Sequence, residues 1–314
     1  MQSKLRTLVI GGAGYIGYHL LPLLIKSGRS VTVLGRRDLL SKALPLGVEY
    51  LRGDFSDLVL LQRLLNCHDE VIHLAYATVP NTSYDSPLLD LLENLPPTVQ
   101  LFSEVAKKGV KLLFVSSGGT VYGEAKSLPI NEMHSTKPIS PYGLTKLTLE
   151  NYASLYSATK GLKYLCVRPA NAYGVGQAPF RGQGFISTAI ASVMQNKVVN
   201  IFGETGTVRD YIYVTDLAEG ILNVLTRGQL GETYNIGTGI GLSNLDVILH
   251  LDPILANKGY KTKLKYLPTR DFDVKFNYLD YEKAKSHTGW QPSVSFNEGL
   301  LMTVDWISEN IESF

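Results

Sequence analysis

A glycine-rich turn between a short apolar run and an amphipathic stretch constrains this chain more than any other feature. Residues 5–10 read as a buried strand, Gly11-Gly12-Ala13-Gly14-Tyr15-Ile16-Gly17 as a tight turn, and the following periodic stretch as a helix reaching about residue 27. Such a turn lets backbone approach a pyrophosphate, and the N–H groups and dipole of the helix N-terminus favour its charge. A second strand-like run, 31–34, arrives at the distance expected of a βαβ unit.

The alternation continues. Strand-like runs at 48–51, 71–74, 112–116 and 164–167 are interleaved with helical patterns at 57–66, 87–108 and 142–160, which predicts a parallel sheet with helices on both faces. Pro96-Pro97 leaves two readings of the third helical stretch: a kink, or a second helix with proline in its first turn. Beyond Arg168-Pro169 the texture turns to glycine, proline and loops, with helical candidates at 185–196, 215–226, 243–256, 280–287 and 296–307, Ser243 and Asp280 being the expected N-caps. The expected architecture is α/β: a doubly wound parallel sheet of Rossmann type over 1–170, with about 205–238 returning to it. A smaller α/β substrate-binding lobe is expected from about 171–204 and 239–314.

Composition removes several classes. The 314 residues are 45% hydrophobic with a net charge of only +2 and no basic run, so neither nucleic acid nor an anionic membrane is an expected partner. Cys67 and Cys166 lack C-x-x-C spacing and the six histidines lack paired ligand spacing, so no disulfide framework and no metal are expected. With no long apolar run and no leader-like segment, the expectation is a soluble, cytoplasmic protein.

The chemistry is concentrated in Ser140-Pro141-Tyr142-Gly143-Leu144-Thr145-Lys146. On a helix, Tyr142 and Lys146 share a face, so the ammonium is able to favour the phenolate. Bringing a tyrosine from its usual pKa near 10 to neutrality takes roughly 4 kcal/mol, which one lysine and an oxidised nicotinamide together could largely supply.

Taken with His73-Leu74-Ala75, Val121-Tyr122-Gly123, Arg168-Pro169-Ala170-Asn171-Ala172-Tyr173-Gly174, the stretch Arg209-Asp210-Tyr211-Ile212-Tyr213-Val214-Thr215-Asp216 and Gly289-Trp290-Gln291-Pro292, the chain resembles the extended short-chain dehydrogenase/reductases. Within them it is most similar to the UDP-galactose 4-epimerase group of nucleotide-sugar enzymes. The resemblance implies a cofactor, NAD or NADP, held by Gly11, Gly14 and Gly17 with Tyr15 and Ile16 of the same turn, by Asp54 and Phe55, by Leu74 and Ala75, and by Tyr142 and Lys146. It implies Tyr142 as base, Lys146 on the nicotinamide ribose, and Asn94, Asn171, Arg209, Arg270, Asp273 and Asn277 around a UDP-sugar. It also implies a homodimer formed through the helices at 87–108 and 142–160.

Two departures stand out. Where NAD enzymes of this pattern end the second strand with an acid, this chain has Gly35 followed by Arg36-Arg37; a guanidinium accepts a 2′-phosphate, so Arg36 leans the expectation to NADP. Where the family carries the hydroxyl that partners the tyrosine, this chain has Gly118, leaving Thr120 first and Ser117 second to supply it. Asn277, intermediate in size at a pocket-restricting position, is expected to tolerate N-acetylhexosamines.

The implied reaction is inversion at C4 of a UDP-sugar through a 4-keto intermediate. A 4,6-dehydratase requires further carboxylates where Gly118-Gly119 stand, with Glu124 expected at the surface. A net NADP-dependent reductase and a non-catalytic sugar-nucleotide sensor remain as alternatives.

Overall fold

The computed structural model describes residues 4–40, 42–269 and 274–314; Arg270 and Asp273 lie outside them. The first half of the chain runs β1 (Arg6–Ile10), α1 (Tyr15–Lys26), β2 (Ser30–Gly35), β3 (Val48–Arg52), α2 (Leu58–Leu65), β4 (Glu70–His73), α3 (Pro80–Asp85), α4 (Pro87–Lys108), β5 (Lys111–Val115), α5 (Pro141–Lys160) and β6 (Lys163–Pro169). The second half adds β7 (Asn171–Tyr173), α6 (Phe185–Met194), β8 (Val199–Phe202), β9 (Val208–Tyr213), α7 (Val214–Arg227), β10 (Thr233–Ile236) and β11 (Gly241–Ser243). It closes with α8 (Asn244–Asn257), β12 (Leu264–Leu267), β13 (Phe276–Asn277), α9 (Glu282–Thr288) and α10 (Phe296–Asn310).

Seven strands pair in parallel in the order β10-β6-β5-β4-β1-β2-β3. The strands are apolar on both faces because both are covered. Val9, Val33, Ile72 and Leu113 pack with Leu20, Leu24, Ile221 and Val224 of α1 and α7. Leu8, Ile10, Val71 and Leu112 pack with Leu61, Phe102, Val105 and Leu149 of α2, α4 and α5 on the other side. Strand order reverses between β1 and β4, so a crevice opens beyond their carboxyl ends, the place where open α/β sheets bind ligands. β9 belongs to a second, small sheet with β7, β11 and β13, backed by a third apolar cluster from α6, α8 and α10.

Local capping explains where the helices that frame the site begin. The Ser140 side chain accepts from the Gly143 N–H at 3.1 Å and Pro141 opens α5, placing Tyr142 in its first turn. α4 runs unbroken through Pro96-Pro97; the carbonyls that lose their donors belong to exposed Leu92 and Glu93, where water is able to replace the missing bonds. Ser243 caps α8 as expected, but Asp280 does not cap α9: it sits one residue ahead of the cap, Tyr281, and accepts from the Glu282 N–H at 2.7 Å.

Candidate active site

The glycine turn is shaped by close approach. A methyl group at Gly17 would lie 2.1 Å from the Gly12 carbonyl oxygen, and Gly11 has φ of +82° where an added side-chain carbon would lie 2.7 Å from the Ala75 nitrogen. Gly14 begins α1 with extended backbone, no side-chain cap and no acidic residue in the first turn. The helix N-terminus is thus left to an external anion, which fits a pyrophosphate.

Two cavities meet at this turn, sharing Gly11, Gly14, Leu74 and Tyr76. The one of about 600 Å³ runs past Ala75 to Gly35, Arg36, Asp54 and Phe55. A side-chain carbon at position 35 would stand 2.9 Å from the Tyr50 hydroxyl, so Tyr50 would have to shift to admit a carboxylate at the end of β2. Arg36 Nη1 instead stands 3.8 Å from Asp54 Oδ2, both groups partly exposed. Asn94 is buried; it accepts from the Ala77 N–H at 2.8 Å and donates to the Asp90 carbonyl at 2.7 Å, fixing the loop after β4.

The second cavity, about 660 Å³, holds Tyr142, Lys146, Ser117 and Thr120, with Tyr15, Ile16 and Gly17 at its cofactor-side wall and Asn171 and Arg209 toward the small lobe. Lys146 is buried and donates to the Val115 carbonyl at 2.8 Å. Its ammonium does not stand directly under the Tyr142 phenol: it lies 5.7 Å from that ring's centroid but 3.8 Å from the centroid of Tyr76. Tyr76 in turn meets Tyr142 edge to face at 4.8 Å. Burial, then the Asp90 carboxylate, pushes the Tyr142 phenol well above its ordinary value, and burial pushes Lys146 down to about 7. Desolvation acts against both charges, which is why the expectation joins the charge of an oxidised nicotinamide to that of Lys146.

The loop between β5 and α5 explains the missing hydroxyl. A side-chain carbon at Gly118 would fall 2.4 Å from Leu279 Cδ1 and 3.0 Å from the Pro169 carbonyl oxygen. The neighbouring chain occupies that space. Thr120 Oγ1, by contrast, is buried without a hydrogen-bond partner, a costly state for a hydroxyl and one that fits a partner arriving with substrate. Beneath this loop, Glu150 accepts from Ser116 Oγ and pairs with Arg168 at 2.5 Å; Arg168 also donates to the Tyr122 hydroxyl at 2.8 Å. Asn277 departs from expectation. It is 1% exposed and its Nδ2 donates to the Gly118 carbonyl at 3.0 Å, so it braces the loop rather than lining the sugar cavity.

Arg209 is anchored by its own Nη1, which donates to the carbonyls of Val208 and Val274 at 2.9 and 2.7 Å. Among the described residues lining the larger cavity there is no Asp or Glu; Glu124 is exposed and accepts from the Lys275 N–H. No cluster of His, Cys, Asp or Glu suited to a metal occurs among the described residues, and no helix there is long and apolar enough to cross a membrane.

Sequence reasoning missed Tyr76 and Asp90. The first follows His73-Leu74-Ala75 directly and was signalled only by that position. The second, on α4, accepts from Thr78 Oγ1 and from Thr145 Oγ1 at 2.7 Å; four residues before Asn94, it resembles any polar helical position.

Residues 7–237 match the model of the NAD dependent epimerase/dehydratase family. The chain belongs to that family. It is 32% identical to a UDP-glucose 4-epimerase of Mycolicibacterium smegmatis over 96% of this chain and 98% of the relative. The crystal structure of a UDP-glucose 4-epimerase from Thermotoga maritima with UDP-glucose is 34% identical with a TM-score of 0.90, covering 98% of this chain and all of that one. One from Thermus thermophilus in complex with NAD is 32% identical with a TM-score of 0.87, covering 97% and 99%.

Proposed function

We propose that the protein is a nucleotide-sugar 4-epimerase acting on a UDP-hexose or UDP-N-acetylhexosamine through a transient 4-keto sugar. The observation that carries this reading is the junction of the two cavities. There Tyr142, Lys146 and an unpartnered Thr120 hydroxyl meet between an anion-ready helix N-terminus and a chamber whose described lining holds no carboxylate.

A nicotinamide dinucleotide, when bound, takes up the C4 hydrogen with its electrons and returns it, and its oxidised ring brings the positive charge that the buried phenol lacks. Gly11, Gly14 and Gly17 with the start of α1 hold the pyrophosphate, and Lys146 holds the ribose. Tyr142 accepts the proton of the sugar 4-hydroxyl, and Thr120 donates to that oxygen and orients it, with Ser117 in reserve. Arg209 and Asn171 grip the diphosphate while the hexose turns over to present its other face; Arg270 would complete that grip, and Asp273 would accept from hydroxyls of the UDP-sugar. With no Asp or Glu among its described lining residues, the chamber has no acid facing the sugar to expel water, which disfavours dehydration.

At the adenosine end, Arg36 beside a glycine rather than an acid at position 35 supports a 2′-phosphate, hence NADP. The ratio of affinities for NADP and NAD tests this, and a large preference for NAD rejects it. Exposed Leu88, Leu89, Leu91 and Leu92 on α4 with Leu144 and Leu155 on α5 support a homodimer through these helices. Two free cysteines accord with a reducing, cytoplasmic setting.

The test is chromatography of products after incubation with UDP-glucose, UDP-galactose and UDP-N-acetylglucosamine, with the cofactor identified from denatured protein. Interconversion of C4 epimers without added reductant is expected. Net consumption of NADPH would establish a reductase instead, and no product from any of these sugars would favour a sensor.

A further inference from the structure

Tyr76 stands where the two cavities meet and has no part in the reaction as described above. It occupies the loop beyond β4, held from behind by Asn94 through the Ala77 N–H. Its ring face is 3.8 Å from Lys146 Nζ, its ring meets Tyr142 edge to face, and it borders both the dinucleotide and the sugar halves of the cleft. An ammonium over an aromatic face is attracted by the ring quadrupole, the more so when water is excluded. Lys146 is 6% exposed; its ammonium donates to the Val115 carbonyl and lies nearer the Tyr76 ring than the Tyr142 ring, at 3.8 against 5.7 Å.

We propose that Tyr76 is a positioning residue for the epimerase reaction: its face keeps Lys146 charged and aimed, while the same ring packs against Tyr142. This rests on the function proposed above. Burial and the Asp90 carboxylate push the Tyr76 phenol far above its ordinary value, so the ring stays neutral. The groups facing Lys146 from neighbouring elements are Asp90 of α4, Glu150 of α5, Cys166 of β6 and His73 of β4. Of these, burial holds Cys166 as the thiol and His73 neutral near pH 7. The Glu150 carboxylate is paired with Arg168 and Asp90 accepts from Thr145, so the direct contacts that support the ammonium are the Val115 carbonyl and the Tyr76 face.

The test uses the full chain and the variants Tyr76→Phe, Tyr76→Leu and Tyr76→Met. Two readouts are followed: the pH dependence of Lys146 acetylation by acetic anhydride, read by mass spectrometry, and the pH profile of kcat with UDP-glucose. Tyr76→Phe keeps the face and is expected to leave the labelling curve in place. The Leu and Met variants are expected to move it down by about one pH unit, and to lower kcat about tenfold at unchanged KM with the alkaline limb displaced by the same amount. Should Leu unfold the loop, Met, which fills irregular space, retains the comparison. Labelling curves that coincide in all variants overturn the proposal, as does a Phe variant that shifts like Leu. If the parent protein leaves every UDP-sugar unchanged, the functional reading fails, and the labelling curve still decides whether the ring supports Lys146.

Discussion

Replacing Thr120 with valine removes one hydroxyl and keeps the side-chain volume, so it separates a catalytic contribution from a structural one. In the folded protein Oγ1 is buried with no hydrogen-bond partner. Leaving such a group unsatisfied costs about 1–3 kcal/mol, and valine relieves that cost. Thr120→Val should therefore leave stability unchanged or raise it, by up to about 1–4 °C in Tm for a chain of this size. Turnover should move the other way. Losing one hydrogen-bond donor to a reacting oxygen typically costs about 10²–10³-fold in kcat, or about 2.7–4 kcal/mol, with KM little altered because the contact strengthens in the transition state. The assays are thermal denaturation and a coupled measurement of UDP-galactose formation, with Ser117→Ala alongside as the second candidate. Full turnover in both variants would refute the assignment of the missing hydroxyl. A Tm drop of several degrees in Thr120→Val would show that the hydroxyl had a partner in the fold, and the argument from its isolation would fall with it.

The remaining predictions concern buried charge. Glu150 and Arg168 are each 8% exposed, so Glu150→Ala strands a guanidinium and should destabilise by about 3–5 kcal/mol, read from the urea midpoint; a change below about 1 kcal/mol would mean that the pair is dispensable. Lys146, with a folded value lowered to about 7 from 10.5, binds fewer protons folded than unfolded between those limits. Unfolding there takes up a proton, so this lysine makes stability rise with pH across that window. Lys146→Met should flatten the rise seen in urea midpoints between pH values near the two ends, and parallel slopes in parent and variant would contradict the burial that lowers it.

Much of the Rossmann half was legible because its signals are local. The run at 5–10 and the glycines after it carry strand, turn and helix start within about twelve residues of one another, and the later strands announce themselves as apolar runs between amphipathic helices. The small lobe was less legible. β7, β11 and β13 are two or three residues long and acquire their order only by pairing with β9, so no periodicity marks them. The cap at Asp280 failed for the same reason: local preference proposed it, and the turn leading from β13 placed the helix start two residues later.

The divide within the site has a physical cause. Spacing sufficed to pair Tyr142 with Lys146 on one face of α5, since helical geometry is a property of the chain itself, while Gly118 was marked as a missing hydroxyl by the family resemblance. What stands beside those residues was decided by packing between segments far apart in sequence. Leu279 fills the space beside Gly118, Asn277 is turned to brace its carbonyl, the Tyr50 hydroxyl sits against Gly35, and Tyr76 packs against both Lys146 and Tyr142. Desolvation in that packed interior then shifts the titration of Tyr142 and Lys146 away from their charged forms, an effect that depends on everything surrounding them and is written at no single position of the sequence.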